Sequence, residues 1–507
     1  MATTQETTKP TSTQEDYLRR ARIDSSVRTV VLFFFFSAAH WLIAASVLGI
    51  IASVKLYAPG FLDFSWTYWL HYGRVQPAFW SAFLYGWAIQ AGFGVSIWIM
   101  ARLCRTELSR SWIVVVAGLF WNIGVTIGVL GILFGGSTSM EWLEFPPFVW
   151  PLLFVAYCLI AVWMVVMFAT RRNEEVFISQ WYILGACFWF PWIYLTTNLF
   201  LHVFPGNGVM AAAINAWYTN TLIFLYFVPV GLASAYYFIP KIVGRPIHSY
   251  QLALVGFWGL ALLAGWTGMQ KFMGGPLPAW MPAVGGTAII LMVVPAIAVA
   301  LNHHLTTRGH HGLVNFSPTL RFTVFGAVTY TAMSGVAVLV STLWFAEITQ
   351  FTLAIEGFKM MAVYAFFSMA MFGAIYYIVP RLTGCEWLSG RFIRMHFWFS
   401  TYGIATMVAV LLLGGFAQGS SLNRPENWAL PVVGAVVNSH GYLIGRTIAW
   451  TFILFSNVVF LFHLGLMVLR LGRRSAEPTL MHRMDDHHAP SPAAATNTTA
   501  EPATAAS

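Results

Sequence analysis

Twelve almost unbroken apolar stretches run through this chain, set apart by short polar segments, at roughly 30–53, 79–101, 112–135, 147–170, 178–203, 216–239, 250–270, 283–302, 320–343, 358–379, 394–416 and 441–469. Each is long enough to cross the hydrocarbon core of a bilayer, which takes about 20 residues. They are apolar on every side, unlike the one-sided stripe of a surface helix or the alternation of a half-buried strand. Lipid offers an exposed backbone amide no partner, so each stretch is predicted as a helix. The expected fold class is an all-α integral membrane protein, a twelve-transmembrane-helix bundle whose membrane domain spans 29–472.

Charge placement orients the bundle. With both the N and C termini cytoplasmic, of 27 Lys and Arg only Lys55, Arg74, Lys271, Lys359, Arg424 and Arg446 fall on the opposite side or within the outer ends of helices. That excess of inner cations is the bias that membrane insertion favours. The net charge of +9 then reflects contact with anionic inner-leaflet lipid and gives no reason to invoke nucleic acid. With 58% hydrophobic and 9% charged residues, the composition excludes an ordinary soluble domain. Residues 1–28 are polar and lack the apolar stretch of a signal peptide, so a disordered cytoplasmic arm is expected there. Residues 473–507, with an Ala/Pro/Thr run and His487-His488, read as a disordered cytoplasmic tail. Cys104, Cys158, Cys187 and Cys385 show no CxxC spacing and read as structural thiols, and no CxxCH motif for covalent haem attachment occurs. The expected location is a bacterial inner (cytoplasmic) membrane.

Several segments share one resemblance. Gly73-Arg74-Val75-Gln76-Pro77-Ala78-Phe79, Trp266-Thr267-Gly268-Met269-Gln270-Lys271 and Gly357-Phe358-Lys359-Met360 are three of them. Trp217-Tyr218-Thr219-Asn220, Tyr236-Tyr237-Phe238-Ile239-Pro240-Lys241, Tyr376-Tyr377-Ile378-Val379-Pro380-Arg381 and Gly441-Tyr442-Leu443-Ile444-Gly445-Arg446 are others. In sequence and spacing these resemble subunit I of the haem–copper oxidase superfamily, most nearly the catalytic subunit of cbb3-type cytochrome c oxidases. The resemblance implies that family's twelve-helix fold. It also implies its chemistry: oxygen reduction on a low-spin haem b held by two histidines, a high-spin haem b held by one, and a copper held by three, with a tyrosine beside the copper.

Carried over position by position, every ligand is replaced. The low-spin haem positions read Phe79 and Met360, and the high-spin position reads Phe358. The copper positions read Asn220, Gln270 and Lys271, and Ala264 takes the place of the tyrosine. Phenylalanine has no lone pair for iron, and two amides with an ammonium make a poor copper site. Met360 is a haem ligand in principle, but a phenylalanine opposite leaves the other axial position empty. The expectation is therefore that no haem or copper binds, that no residue here is catalytic, and that apolar bulk closes the former sites.

Two further features compete with that reading. His40 and His463 lie well inside predicted helices, and a bis-histidine site for haem b between them is the alternative cofactor expectation. Lys271, Glu347, Glu356 and Lys359 gather near the outer ends of helices, where charge is costly and tends to pair, line an ion path or serve docking. The functional expectation is a cbb3-type subunit I-like scaffold, partner or ion-conducting subunit of a respiratory membrane complex. Its partners would be other membrane subunits, membrane-anchored c-type cytochromes among them. The alternative is a working terminal oxidase or nitric oxide reductase large subunit with ligands elsewhere.

Overall fold

A computed structural model describes residues 12–206, 208–424, 431–475 and 477–482. All twelve predicted spans are helices: α1 (Ser12–Lys55), α2 (Tyr72–Cys104), α3 (Ser111–Leu133), α4 (Pro147–Ala169), α5 (Ile178–Val203), α6 (Val209–Val243), α7 (Tyr250–Phe272), α8 (Trp280–Thr307), α9 (Pro318–Ser341), α10 (Leu353–Thr383), α11 (Gly390–Leu422) and α12 (Pro431–Val468).

Burial sorts them into two shells. The most apolar windows of α2, α6 and α10 are 100%, 94% and 100% buried, whereas those of the other nine lie between 39% and 50%. The three buried helices touch one another, and the nine others ring them in chain order. All-round apolar sequence thus has two causes. In the ring, half of each helix faces outward where lipid would lie; in the centre, every face meets protein. Tight packing, rather than hydrophobic burial, has to hold such helices together in lipid. At Gly373 of α10, for example, a Cβ would press on the carbonyl of Thr319 in α9 at 2.9 Å.

Each central helix is interrupted by a π-helical turn, at Ala82–Ala88, Ile223–Phe227 and Met361–Ser368. Such wide turns concentrate at functional sites. Two central helices also end alike. Tyr236-Tyr237-Phe238-Ile239-Pro240 precedes Gly244, and Tyr376-Tyr377-Ile378-Val379-Pro380 precedes Gly384. Both glycines adopt positive φ, +80° and +72°, and each returns its amide to the proline carbonyl at 2.9 Å. A left-handed residue closing the last turn is what glycine alone does without strain.

The boundaries differ from the sequence reading, and polarity explains why. α1 starts at Ser12, so residues 12–28, expected to be a disordered arm, are helical; Asp24 binds Arg102 at 3.2 Å and Ile23 and Val27 are buried. α2, α6, α10 and α12 each begin several residues earlier than predicted, because polar groups there are satisfied by protein. Arg74, for instance, donates to the Leu133 carbonyl at 3.1 Å. Within the expected tail, Glu386 and Arg473 exchange backbone hydrogen bonds and Met481 donates to the Phe316 carbonyl at 2.9 Å. Residues 1–11 and 483–507, with His487 and His488, lie outside the described residues.

Candidate functional site

Phe79 and Met360 sit on central helices, exposed by 0% and 1%. The Phe79 ring meets Trp450 of α12 edge-on, with centroids 5.0 Å apart, and Trp80 and Phe83 of its own helix at 4.9 and 5.9 Å. Phe83 in turn stacks on Tyr364 of α10 at 6.0 Å. Tyr364 donates to Asn457 at 3.0 Å, and Asn457 donates to Ser46 at 2.9 Å, which ties α10, α12 and α1 together. Gly49 leaves room for the Trp450 indole, where a Cβ would stand 2.9 Å from the ring. Phe79 therefore lies in a packed aromatic cluster.

Asn220, Gln270, Lys271 and Phe358 come together from α6, α7 and α10 around one small cavity of about 30 Å³, shared with Trp142, Thr219, Gln350 and Lys359. A single-turn helix, Met269–Phe272, presents Gln270 and Lys271. It follows Gly268, whose φ of +115° and contact with the Trp217 backbone admit no side chain. Gln270 is spent locally: its Oε1 accepts from the Gly268 amide at 2.6 Å, and its carbonyl accepts from Gln350 at 3.3 Å. The Lys271 ammonium donates to Thr219 at 2.7 Å. Asn220 Nδ2 and Trp142 Nε1 are buried donors without an acceptor.

Charged groups line the end of the bundle away from the chain termini. Arg446 of α12, 1% exposed at its side chain, binds Glu356 of α10 at 2.7 Å, and Gln76 of α2 bonds to both. Lys359 pairs with Glu141 of the α3–α4 loop and lies over the Trp142 ring. Burial would raise the Glu141 carboxyl, but the Lys359 ammonium, with Lys271 behind it, holds it below the usual carboxylate range. Its side chain is 39% exposed, so solvent screens part of that effect. Glu144, three residues on, is enclosed. Burial pushes its carboxyl up to about 7, against the opposing pull of hydrogen bonds from backbone amides and Ser81.

Of the four candidates for an ion path or docking surface, Lys271, Glu356 and Lys359 belong to this group. Glu347 does not: it is exposed on a short helix, Leu343–Thr349, with Asn423 donating to its carbonyl. Glu141, Glu144, Arg446 and Gln76 were missed. The available signal was a pair of acids in an otherwise apolar loop, Met140-Glu141-Trp142-Leu143-Glu144-Phe145.

The family profile for cytochrome c and quinol oxidase polypeptide I matches residues 29–452. The chain belongs to this family. Among its relatives is the cytochrome c oxidase subunit 1 homolog of Agrobacterium tumefaciens (strain T37), 25% identical over 409 residues that cover 77% of this chain and 73% of the relative. The cbb3-type cytochrome c oxidase subunit CcoN1 of Stutzerimonas stutzeri is also 25% identical, over 402 residues that cover 77% and 83%. A solved heme-copper terminal oxidase dimer superposes with a TM-score of 0.63 at 12% identity, over 91% of this chain and 88% of that one, which supports the fold alone.

The two histidines of the alternative haem site meet different surroundings: His40 is exposed on α1 and bonded to its own helix at Phe36, whereas His463 is enclosed by Trp387 and Phe392. A third intramembrane histidine, His396 of α11, was overlooked; it is fully buried and bonds to Tyr376 at 2.8 Å. His303 is buried and packs against Tyr236 at 4.5 Å, while His304, His310 and His311 are exposed. Ala264 is buried, with Thr267 bonded to its carbonyl at 2.7 Å. Among the described residues no three His, Cys, Asp or Glu side chains converge as a metal site. All four cysteines are free, three of them buried.

Proposed function

We propose that this chain is a cbb3-type subunit I-like membrane subunit that carries neither haem nor copper and serves a respiratory complex as a scaffold, partner or ion-conducting subunit. The donor set supports this most directly. At the six positions expected to ligate metal stand two phenylalanines, a methionine, two amides and an ammonium, so the residues present do not fit two haems and a copper. Packing agrees with the donors. Where copper and the high-spin haem would meet there is room for about 30 Å³, and Phe79 is walled in by Trp450, Trp80 and Phe83. Methionine at 360 then acts as a buried filler.

In this reading the fold outlasts the chemistry. The nine-helix ring presents apolar surface to lipid and to other membrane subunits, c-type cytochromes among the candidates, in a bacterial cytoplasmic membrane with both termini inside. Absorbance and metal content of protein purified in mild detergent test the proposal. The expected result is no Soret band and iron and copper far below one per chain. A stoichiometric b-type spectrum overturns it in favour of a terminal oxidase or nitric oxide reductase.

A further inference from the structure

We infer that the cavity between α6, α7 and α10 is a binding site for a small monovalent anion, with halide as the class that fits. The inference rests on the metal-free reading of the same site. Size sets the first limit: about 30 Å³ is room for a small ion and leaves none for a bulky organic acid.

Polarity sets the second. The lining groups left unsatisfied are donors. Asn220, 3% exposed, has Nδ2 free, and Trp142, fully buried, has Nε1 free. Two ammoniums, Lys271 and Lys359, share the wall. Two of the acceptors on the wall are already engaged, Thr219 Oγ1 by Lys271 and the Gln270 carbonyl by Gln350. Water needs acceptors as well as donors, whereas a halide only accepts.

Charge sets the third. Glu141 pairs with Lys359, and Lys271 forms none of the ion pairs among the described residues. While the enclosed Glu144 holds its proton, two cations against one carboxylate leave one positive charge at membrane depth, which is costly until compensated. A single bound anion supplies that compensation and satisfies both orphan donors. A position where the family places a metal cation has become a seat for the opposite charge.

Full-length protein in mild detergent is titrated with sodium chloride or bromide against gluconate and sulfate at fixed ionic strength, while its unfolding midpoint is followed. Chloride and bromide should raise the midpoint with concentration, and gluconate and sulfate should not. Asn220→Asp keeps the shape and puts acceptors where the donor was; it should weaken the apparent Kd at least about tenfold, as should Lys271→Met. If Lys271→Met does not fold, Asn220→Asp carries the test alone. Equal midpoints in chloride and gluconate overturn the inference, as does an unaltered halide response in the variants. Iron and copper content of the same sample separates the two readings. A metal-free protein blind to halide sinks the anion site alone, and a haem-loaded one sinks the metal-free reading.

Discussion

The Arg446–Glu356 pair offers a sharp test of how the far end of the bundle is held. Arg446 is 1% exposed and Glu356 18%, with 2.7 Å between Nη2 and Oε1. Arg446 Nε and Nη1 have no other partner. Glu356→Gln preserves shape but strands a guanidinium that cannot lose its proton. Removing one member of a buried pair costs about 3–5 kcal/mol. Arg446→Met strands a carboxylate that is better placed to reach solvent, so it should cost less. Replacing both, as Arg446→Met with Glu356→Leu, removes the stranded charge and should come back close to wild type, because well-packed apolar pairs often match buried ionic ones. For 507 residues, an unfolding entropy near 1 kcal/mol per degree turns the first loss into a midpoint shift of roughly 3–5 °C. Thermal unfolding followed by fluorescence in one detergent, with all four proteins side by side, gives the comparison. The reasoning fails if Glu356→Gln unfolds within a degree of wild type, or if the double variant is the least stable of the set.

Other outcomes follow from neighbouring features. Glu144 has a carboxyl raised from 4.5 to about 7 in the folded protein, so the folded state holds the proton longer than the unfolded one. Its contribution to stability is present below about 4.5 and is lost as pH climbs through 7, by at most about 3 kcal/mol; Glu144→Gln should flatten that slope in unfolding measured from pH 5 to 8. A Cβ at Gly419 of α11 would collide with the Ile348 carbonyl, a backbone atom that cannot swing aside. Gly419→Ala should therefore lose several kcal/mol and fail to give monodisperse protein on gel filtration, whereas Gly465→Ala, with open space around it, should behave normally. If the charged end conducts, Lys271→Met and Glu356→Gln should lower proton or ion flux in proteoliposomes; wild-type flux in both removes the conduit role and leaves the scaffold.

The twelve spans were legible because a bilayer demands about 20 apolar residues in a row, and each helix supplies them. Their ends were not, since hydropathy treats a polar residue as a stop. Gln76 and Glu356 lie within α2 and α10 because Arg446, from a third helix, satisfies them. The grouping of Lys271, Glu356 and Lys359 was visible in their spacing and in the resemblance that folds α7 toward α10. Glu347 looked equivalent but turns outward. Glu141 and Glu144 look like ordinary loop acids; the pairing of Glu141 with Lys359 of α10 and the burial of Glu144 beside Ser81 of α2 come from residues far away in the chain. Nor does hydropathy assign a face, which is why His40 and His463 seemed comparable while His396 went unnoticed.

The wide turns in the three central helices constrain how such a protein can change. Each holds one residue more than a regular turn would, so deleting one residue would swing the helix on one side of it by about 100° relative to the other. Phe79, Asn220 and Phe358, which lie just before those turns, would all lose their bearing at once. Exchanging side chains leaves the indexing intact. A backbone locked in this way lets new occupants be tried at a fixed address one substitution at a time, while insertions and deletions are steered to the loops.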